Sequence, residues 1–226
     1  MINPPDLPPL RPPQRGSLHQ RVFAWATARG MDGYENAAEA RKQALFGDLH
    51  GLILEIGPGP GPNLPYFPAG ASWIGVEPNP FMHPYLRRTL SRLGRAEANY
   101  RIDGGDAQGI RLPAADESVD AVVATLVLCS VPDQAATLRE ILRVLKPGGR
   151  FAFIEHVAAP RGTRLRTFQN AIQPLWTPIG GGCHPNRETW ETIAQAGFAQ
   201  VKLEHYRFSG GGPVSPHIAG VAVKGI

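Results

Sequence analysis

The sequence predicts an α/β fold, a mostly parallel sheet with helices on both faces. Three observations predict it. From residue 52 onward, short apolar runs alternate with stretches of helical periodicity. One run, Ala121–Val127, is apolar except for Thr125, as a strand buried on both faces must be. And the first run, Leu52–Ile56, passes directly into Gly57-Pro-Gly-Pro-Gly61, a turn-forming segment at the strand's carboxyl end. A chain of 226 residues, 42% of them hydrophobic and 19% charged, suits one domain with an appendage.

The elements follow in order. The opening MINPPDLPPLRPP carries six prolines in thirteen residues, so residues 1–16 read as an extended, polyproline-like tail. Residues 17–226 then form one domain, capped by two N-terminal helices within 17–50. The first covers Ser17–Arg29 and the second Glu35–Leu49. In the second, Ala38, Ala44, Leu45 and Leu49 share one side, Glu39, Arg41, Lys42 and Asp48 carry the charge, and Gly51 ends the segment. After the strand Leu52–Ile56 come a helical stretch near Asn63–Phe67, a strand Ser72–Val76 and a helix Phe81–Leu93. A weak third strand, Tyr100–Asp103, precedes the strong Ala121–Val127. The helix Asp133–Leu145 points Leu138, Ile141, Leu142 and Leu145 inward. A fifth strand, Phe151–Val157, leads to a helix Leu165–Trp176, a glycine-rich break and a helix Arg187–Ala196. The last two strands, near Phe198–Leu203 and His217–Lys224, have no convincing helix between them, so one of them runs antiparallel.

Composition removes several functions. The net charge of +4 comes from arginines spread along the chain, without a basic block, so nucleic acid is not an expected partner. Two cysteines, Cys129 and Cys183, make no disulfide framework and point to a reducing, cytoplasmic compartment. The tail lacks an apolar signal core, and no apolar run approaches the roughly 20 residues of a spanning helix. Peripheral membrane contact stays open. Cys183-His184 lacks a second pair of ligands, so no metal is assigned.

The glycine loop is the main functional signal. Gly57, Gly59 and Gly61 let the backbone turn sharply and approach a ligand beyond the first strand. Glu77, 20 residues beyond Gly57 at the tip of the second strand, is placed to accept hydrogen bonds from two ribose hydroxyls. A dinucleotide and S-adenosylmethionine both meet this description. The GxGxG spacing, in place of GxGxxG, and Asp106 after the third strand favour the latter.

On these residues the chain resembles class I S-adenosylmethionine-dependent methyltransferases, with Val144-Leu-Lys-Pro-Gly-Gly149 similar to their turn before the fifth strand. More narrowly it resembles the methyltransferase-like thiol S-methyltransferase family. The shared stretches include Ala40–Leu49, Glu77–Pro80, Ser118–Val131, Phe153–Pro160, Gly181–His184 and Pro216–Lys224. The resemblance implies a Rossmann-like seven-stranded sheet in the order 3-2-1-4-5-7-6 with the last strand antiparallel. It also implies a cofactor site of Glu55, Gly57, Pro58, Gly59, Gly61 and Asn63 around the loop, and Glu77, Pro78 and Asn79 at the ribose and adenine. Asp106 and Ala107 meet the adenine edge, and Thr125, Leu126 and Val127 close the site near the sulfonium. Animal members carry an apolar N-terminal anchor where this chain has its proline-rich tail.

The implied activity is methylation of a small, apolar thiol. Alternatives are C-, O- or N-methylation of a quinone, sterol or lipid amine, or an S-adenosylmethionine-binding interaction protein recruited through the tail. Methyl transfer needs alignment above all, and a free thiol is a few per cent ionised at pH 7. His156, at the end of the fifth strand, is the best-placed base. Cys129 is read as a small core residue or a lining residue of the acceptor pocket, Arg161, Arg164 and Arg166 as the wet face of a helix or an anion lure, and Trp176 and Trp190 as core or acceptor-pocket walls.

Overall fold

A computed structural model describes Pro12 and residues 15–95, 100–104 and 111–226. Its strands are β1 (Leu52–Ile56), β2 (Ser72–Val76), β3 (Tyr100–Asp103), β4 (Val119–Thr125), β5 (Leu145–His156), β6 (Gln200–Arg207) and β7 (Pro216–Val223). The helices are α1 (Leu18–Gly30), α2 (Asp32–Phe46), α3 (His83–Arg92), α4 (Gln134–Val144), α5 (Arg164–Ile179) and α6 (Thr189–Gln195). The strands form one sheet in the order β3-β2-β1-β4-β5-β7-β6. The pairs among β1 to β5 are parallel, while β7 runs antiparallel to both β5 and β6. This is the order that the resemblance implies.

The pleat of β5 divides the core in two. Phe151 and Phe153 pack on one face with Val122, Leu138, Ile141 and Ile193, from β4, α4 and α6. Ala152 and Ile154 face the other way, with Phe46, Ile53, Trp73, Leu86 and Val123, where α2 and α3 cover the sheet. Each fully buried aliphatic or aromatic side chain contributes about 1.5–3 kcal/mol relative to exposure. These two layers fix the sheet, and so they fix where its strands end. The prolonged edge strand β6 alternates between exposed and half-buried positions, as an edge covered on one side should.

Local chemistry sets the helix ends. Ser17 and Gln20 form a reciprocal cap on α1, and Asp133 accepts a hydrogen bond from the Ala136 amide at the start of α4. Helix α5 passes through Pro174 and Pro178, beyond the expected stop at Trp176. Both prolines are exposed and four residues apart, so the carbonyls that they leave without amide partners lie on a face that water reaches.

Some expectations need correction. The buried stripe of α2 is Tyr34, Ala38, Lys42 and Phe46, whereas Ala44 is exposed. Lys42, expected on the charged face, is 0% exposed and pairs with Glu35 at 2.5 Å. A buried ammonium with a carboxylate partner can replace an apolar residue in such a stripe, and hydrophobic periodicity does not register it. Strand β4 ends at Thr125 rather than Val127, because Leu126 turns into the left-handed region at φ +57. Strand β5 starts at Leu145, six residues before Phe151, across a register shift between Val119 and Ala121 of β4. β6 extends to Arg207, past the expected Leu203.

Candidate active site

The carboxyl ends of β1, β2, β4 and β5 meet at one cavity of about 630 Å³, within the usual range for small-molecule sites. The loop after β1 forms one wall. Gly57 has φ +62, donates its amide to the Val76 carbonyl at 2.9 Å, and would bring an added Cβ to 2.7 Å from Val127 Cγ2. No other residue type fits there without strain and a clash. Gly59, at φ +55, faces open space where its Cβ would stand, and it lines the cavity.

Three buried carboxylates tether this loop and its neighbours. Glu77, 5% exposed, accepts the amides of Gly59 at 2.9 Å and Asn79 at 2.8 Å, one on each oxygen. Glu55 accepts Asn63 Nδ2 at 2.7 Å and the Trp73 indole at 2.9 Å. Glu155 accepts the amides of Val127 and Leu128, each at 2.9 Å, and so holds the turn after β4. Burial pushes all three up to about 7, against the lowering effect of their hydrogen bonds.

Of the residues that the resemblance assigns to the cofactor, Gly57, Pro58, Gly59, Asn63, Glu77, Pro78, Asn79, Thr125, Leu126 and Val127 all line the cavity. Glu55 and Gly61 do not. Glu55 lies beneath the loop, where it positions Asn63. A Cβ on Gly61 would meet Leu64 and Leu86 in the core, so that glycine serves packing. Asp106 and Ala107 lie outside the described residues.

Helix α1 forms the roof, which the sequence reading did not assign. Gln20, Phe23 and Thr27 line the cavity, and the Gln20 carbonyl accepts Asn79 Nδ2 at 3.0 Å. Arg15 also lines it, so the end of the expected tail belongs to the site.

The far end is a sulfur cluster. Cys129, in the turn after β4, His156, the last residue of β5, and Cys183, after α5, all line the cavity. His156 Nε2 stands 2.9 Å from Cys183 Sγ, and the Trp176 indole donates to the same sulfur at 3.0 Å. Donation from Cys129, then from His156 and Trp176, holds the Cys183 thiol well below its usual range, and the Cys129 thiol is correspondingly raised. Cys129 is therefore a cavity residue as well as a buried one. His184 turns away to Gln173. Arg161 and Arg166 are paired with Glu188, which anchors α5 beside α6, while Arg164 is exposed at the start of α5. Trp190 packs against the core and the edge of His205, away from the cavity.

Comparison with known proteins places this geometry. Residues 54–153 match the family model described as a methyltransferase domain. The chain is 38% identical over 215 residues to thiol S-methyltransferase TMT1B of Rattus norvegicus, covering 90% of this chain and 84% of that protein. It is 35% identical over 219 residues to thiol S-methyltransferase TMT1A of Homo sapiens, covering 91% and 87%. Among solved structures, a SAM-dependent methyltransferase of Thermotoga maritima, described as a possible histamine N-methyltransferase, superposes with a TM-score of 0.64 at 21% identity. That match covers 91% of this chain and 98% of the other, a likeness of fold.

Proposed function

We propose that this cavity methylates the sulfur of a small apolar thiol, on the premise that the chain belongs to the thiol S-methyltransferase family and is an S-adenosylmethionine-dependent methyltransferase. The residues present fit that cofactor. Gly59 offers an approach free of side chains, and Asn63 Oδ1 is a buried acceptor without a partner among the described residues, suited to an ammonium group. Glu77 retains lone pairs for ribose hydroxyls beside its two amide partners. By family resemblance Pro78, Asn79, Asp106 and Ala107 flank the adenine. When bound, the cofactor supplies a methyl group on a positively charged sulfur, and the electron pair of the broken bond stays with that sulfur.

The chain's own contribution is alignment and exclusion of water. Thr125, Leu126 and Val127 wall the middle of the cavity between the glycine loop and the sulfur cluster. Alignment of two reactants is worth about 7–11 kcal/mol of barrier, and a covered site strips water from an attacking anion. Phe23, Met31, Met82, Trp176 and Val214 give the walls an apolar character, which supports an apolar acceptor. Leu18, Val22 and Trp25 on α1 and Leu175 and Ile179 on α5 are exposed apolar side chains on helices that border the cavity. They suit peripheral contact with a lipid surface holding such acceptors. No helix among the described residues is long and apolar enough to cross a membrane. Two free cysteines side by side suit a reducing, cytoplasmic setting.

His156 is less suited to a free base than its position in the sequence suggests, because its Nε2 is engaged with Cys183. The observation that carries the proposal is the continuity of one cavity from Gly59 and Glu77 to the sulfur cluster. Incubation with methyl-labelled donor and a panel of alkyl and aryl thiols, quinones and amines tests it. Label is expected in thioethers. Label in quinones or amines, with none in thiols, would exclude the thiol acceptor.

A further inference from the structure

We propose that Cys129, His156 and Cys183 bind one zinc ion, with a fourth position open to the cavity where the acceptor sulfur binds as a thiolate. The three protein ligands follow from geometry alone, and the identity of the fourth rests on the thiol-methylating reading above.

Convergence is the first argument. The ligand atoms of the three residues all lie within 4.8 Å of one another. They come from three separate segments: the turn after β4, the tip of β5 and the break after α5. The chain has two cysteines, and both are here. The neighbouring histidine in sequence, His184, is not part of the cluster.

The second argument is burial. His156 is 4% exposed, Cys129 1% and Cys183 7%, and all three line the cavity, so the three donor groups are held together away from bulk water.

Third, the donor set and its surroundings match zinc. Two sulfurs and one imidazole select zinc over magnesium or calcium, which take oxygen ligands. Three protein ligands with one open position is the pattern of a catalytic zinc site. Zn–S bonds of about 2.3 Å and Zn–N bonds of about 2.1 Å at the tetrahedral angle separate N and S by about 3.6 Å. His156 Nε2 and Cys183 Sγ, now hydrogen-bonded at 2.9 Å, would part by roughly 0.7 Å, within the reach of small side-chain rotations. Around them, the Trp176 indole N–H already points at Cys183 Sγ, and Glu155 holds the backbone of the turn that carries Cys129. Such outer contacts orient metal ligands.

The chemistry balances in protons. Cys183 enters the site as the thiolate that its donors already favour, and the Cys129 thiol releases its proton to solvent as zinc binds. An acceptor thiol entering the fourth position releases one more proton to solvent and stays as a thiolate. The thioether product carries no charge and is a weaker ligand, so it leaves. No side chain needs to act as a base, in keeping with the engagement of His156.

The test uses the full-length protein, stripped with a chelator under reducing, oxygen-free conditions and titrated with Co²⁺. One equivalent is expected to bind, with sulfur-to-cobalt charge-transfer absorption and intense tetrahedral visible bands, both removed by added Zn²⁺. Addition of 1-hexanethiol should shift the visible bands. Cys183→Ser and His156→Ala should lose them while still binding S-adenosylhomocysteine by calorimetry, which confirms folding. The stripped protein should methylate 1-hexanethiol at least thirty-fold more slowly at pH 7, because even a cysteine-like thiol of pKa about 8.5 is only about 3% ionised there and an alkanethiol is a weaker acid. Absence of the bands in folded wild type, or their persistence in the Cys129→Ser, Cys183→Ser double variant, overturns the site. Full thiol methylation by metal-free protein overturns the role of the ion. Cobalt bands without methylation of any thiol uphold the three-ligand site and overturn the thiol acceptor instead.

Discussion

Glu77 joins three parts of the site through one carboxylate: the glycine loop, the tip of β2 and, through Asn79, the roof helix α1. Burial pushes it up to about 7. Ribose hydroxyls donating to it would favour the ionised form, so the cofactor-bound protein has the lower value. Below pH 7, binding should therefore release a proton, and affinity should rise with pH and level off above about 7. Calorimetry at pH 6 in two buffers of different ionisation enthalpy measures this directly. Proton uptake would show that Glu77 does not receive the ribose. Glu77→Ala should weaken binding about ten- to a hundred-fold, since hydrogen bonds to charged groups contribute roughly 1.5–3 kcal/mol. Glu77 was legible because charge at a strand tip, at a set distance from a glycine loop, is a local signal. Glu55 and Gly61 lie just as near in sequence, but alternation of the strand and the direction of the turn aim them into the core. The sulfur cluster was not legible. Residues 129 and 183 meet only after β5, β4 and α5 are in place, and adjacency in sequence pointed to His184 instead.

At the scale of elements, strands β1 and β2 were readable to the residue, because each is a short, largely apolar run bounded by turn formers, and the weaker β3, Tyr-Arg-Ile-Asp, was readable from its alternation of Tyr100 and Ile102 with charged residues. Helix α1 was readable as a helix and unreadable as a roof. Its apolar residues fall on both sides: Leu18, Val22 and Trp25 outward, and Phe23 over the cavity. Periodicity cannot tell a wall of a binding site from a face awaiting a partner. The side chain of Asn79 is the tie between roof and sheet, with Nδ2 on the Gln20 carbonyl and Oδ1 accepting the Phe81 amide at 3.0 Å. Asn79→Ala should cost about 1–2 kcal/mol of global stability. Its sharper expected effect is faster amide exchange across residues 18–30, together with weaker cofactor binding. Unchanged exchange in α1 would mean that packing of Phe23 holds the roof without the tie.

Across the whole molecule, Glu55, Glu77 and Glu155 lie at or next to the carboxyl ends of β1, β2 and β5, and each binds the backbone or side chain of a site loop. The fold orders its loops with buried carboxylates, and that arrangement opposes stability at neutral pH. Glu55 is pushed from 4.5 up to about 7, chiefly by burial, with Asn63, Trp73 and Lys42 acting in the other direction. Its folded-state value lies above its unfolded one, so between these pH values the folded chain holds more protons and stability falls as pH rises. The contribution is fully present below about 4.5 and lost by about 7, a change on the order of 3 kcal/mol. Other groups titrate over the same range, so the comparison must be with a variant. Glu55→Gln removes this titration and also mismatches one donor, because an amide oxygen can receive Asn63 or Trp73 while its nitrogen faces the other. The variant should be less stable than wild type near pH 4, and the gap should shrink by about 3 kcal/mol toward pH 7. Urea unfolding at several pH values measures that gap. A gap that widens with pH would mean that the ionised carboxylate is favoured by its donors and by Lys42, and that site order and stability run together in this fold.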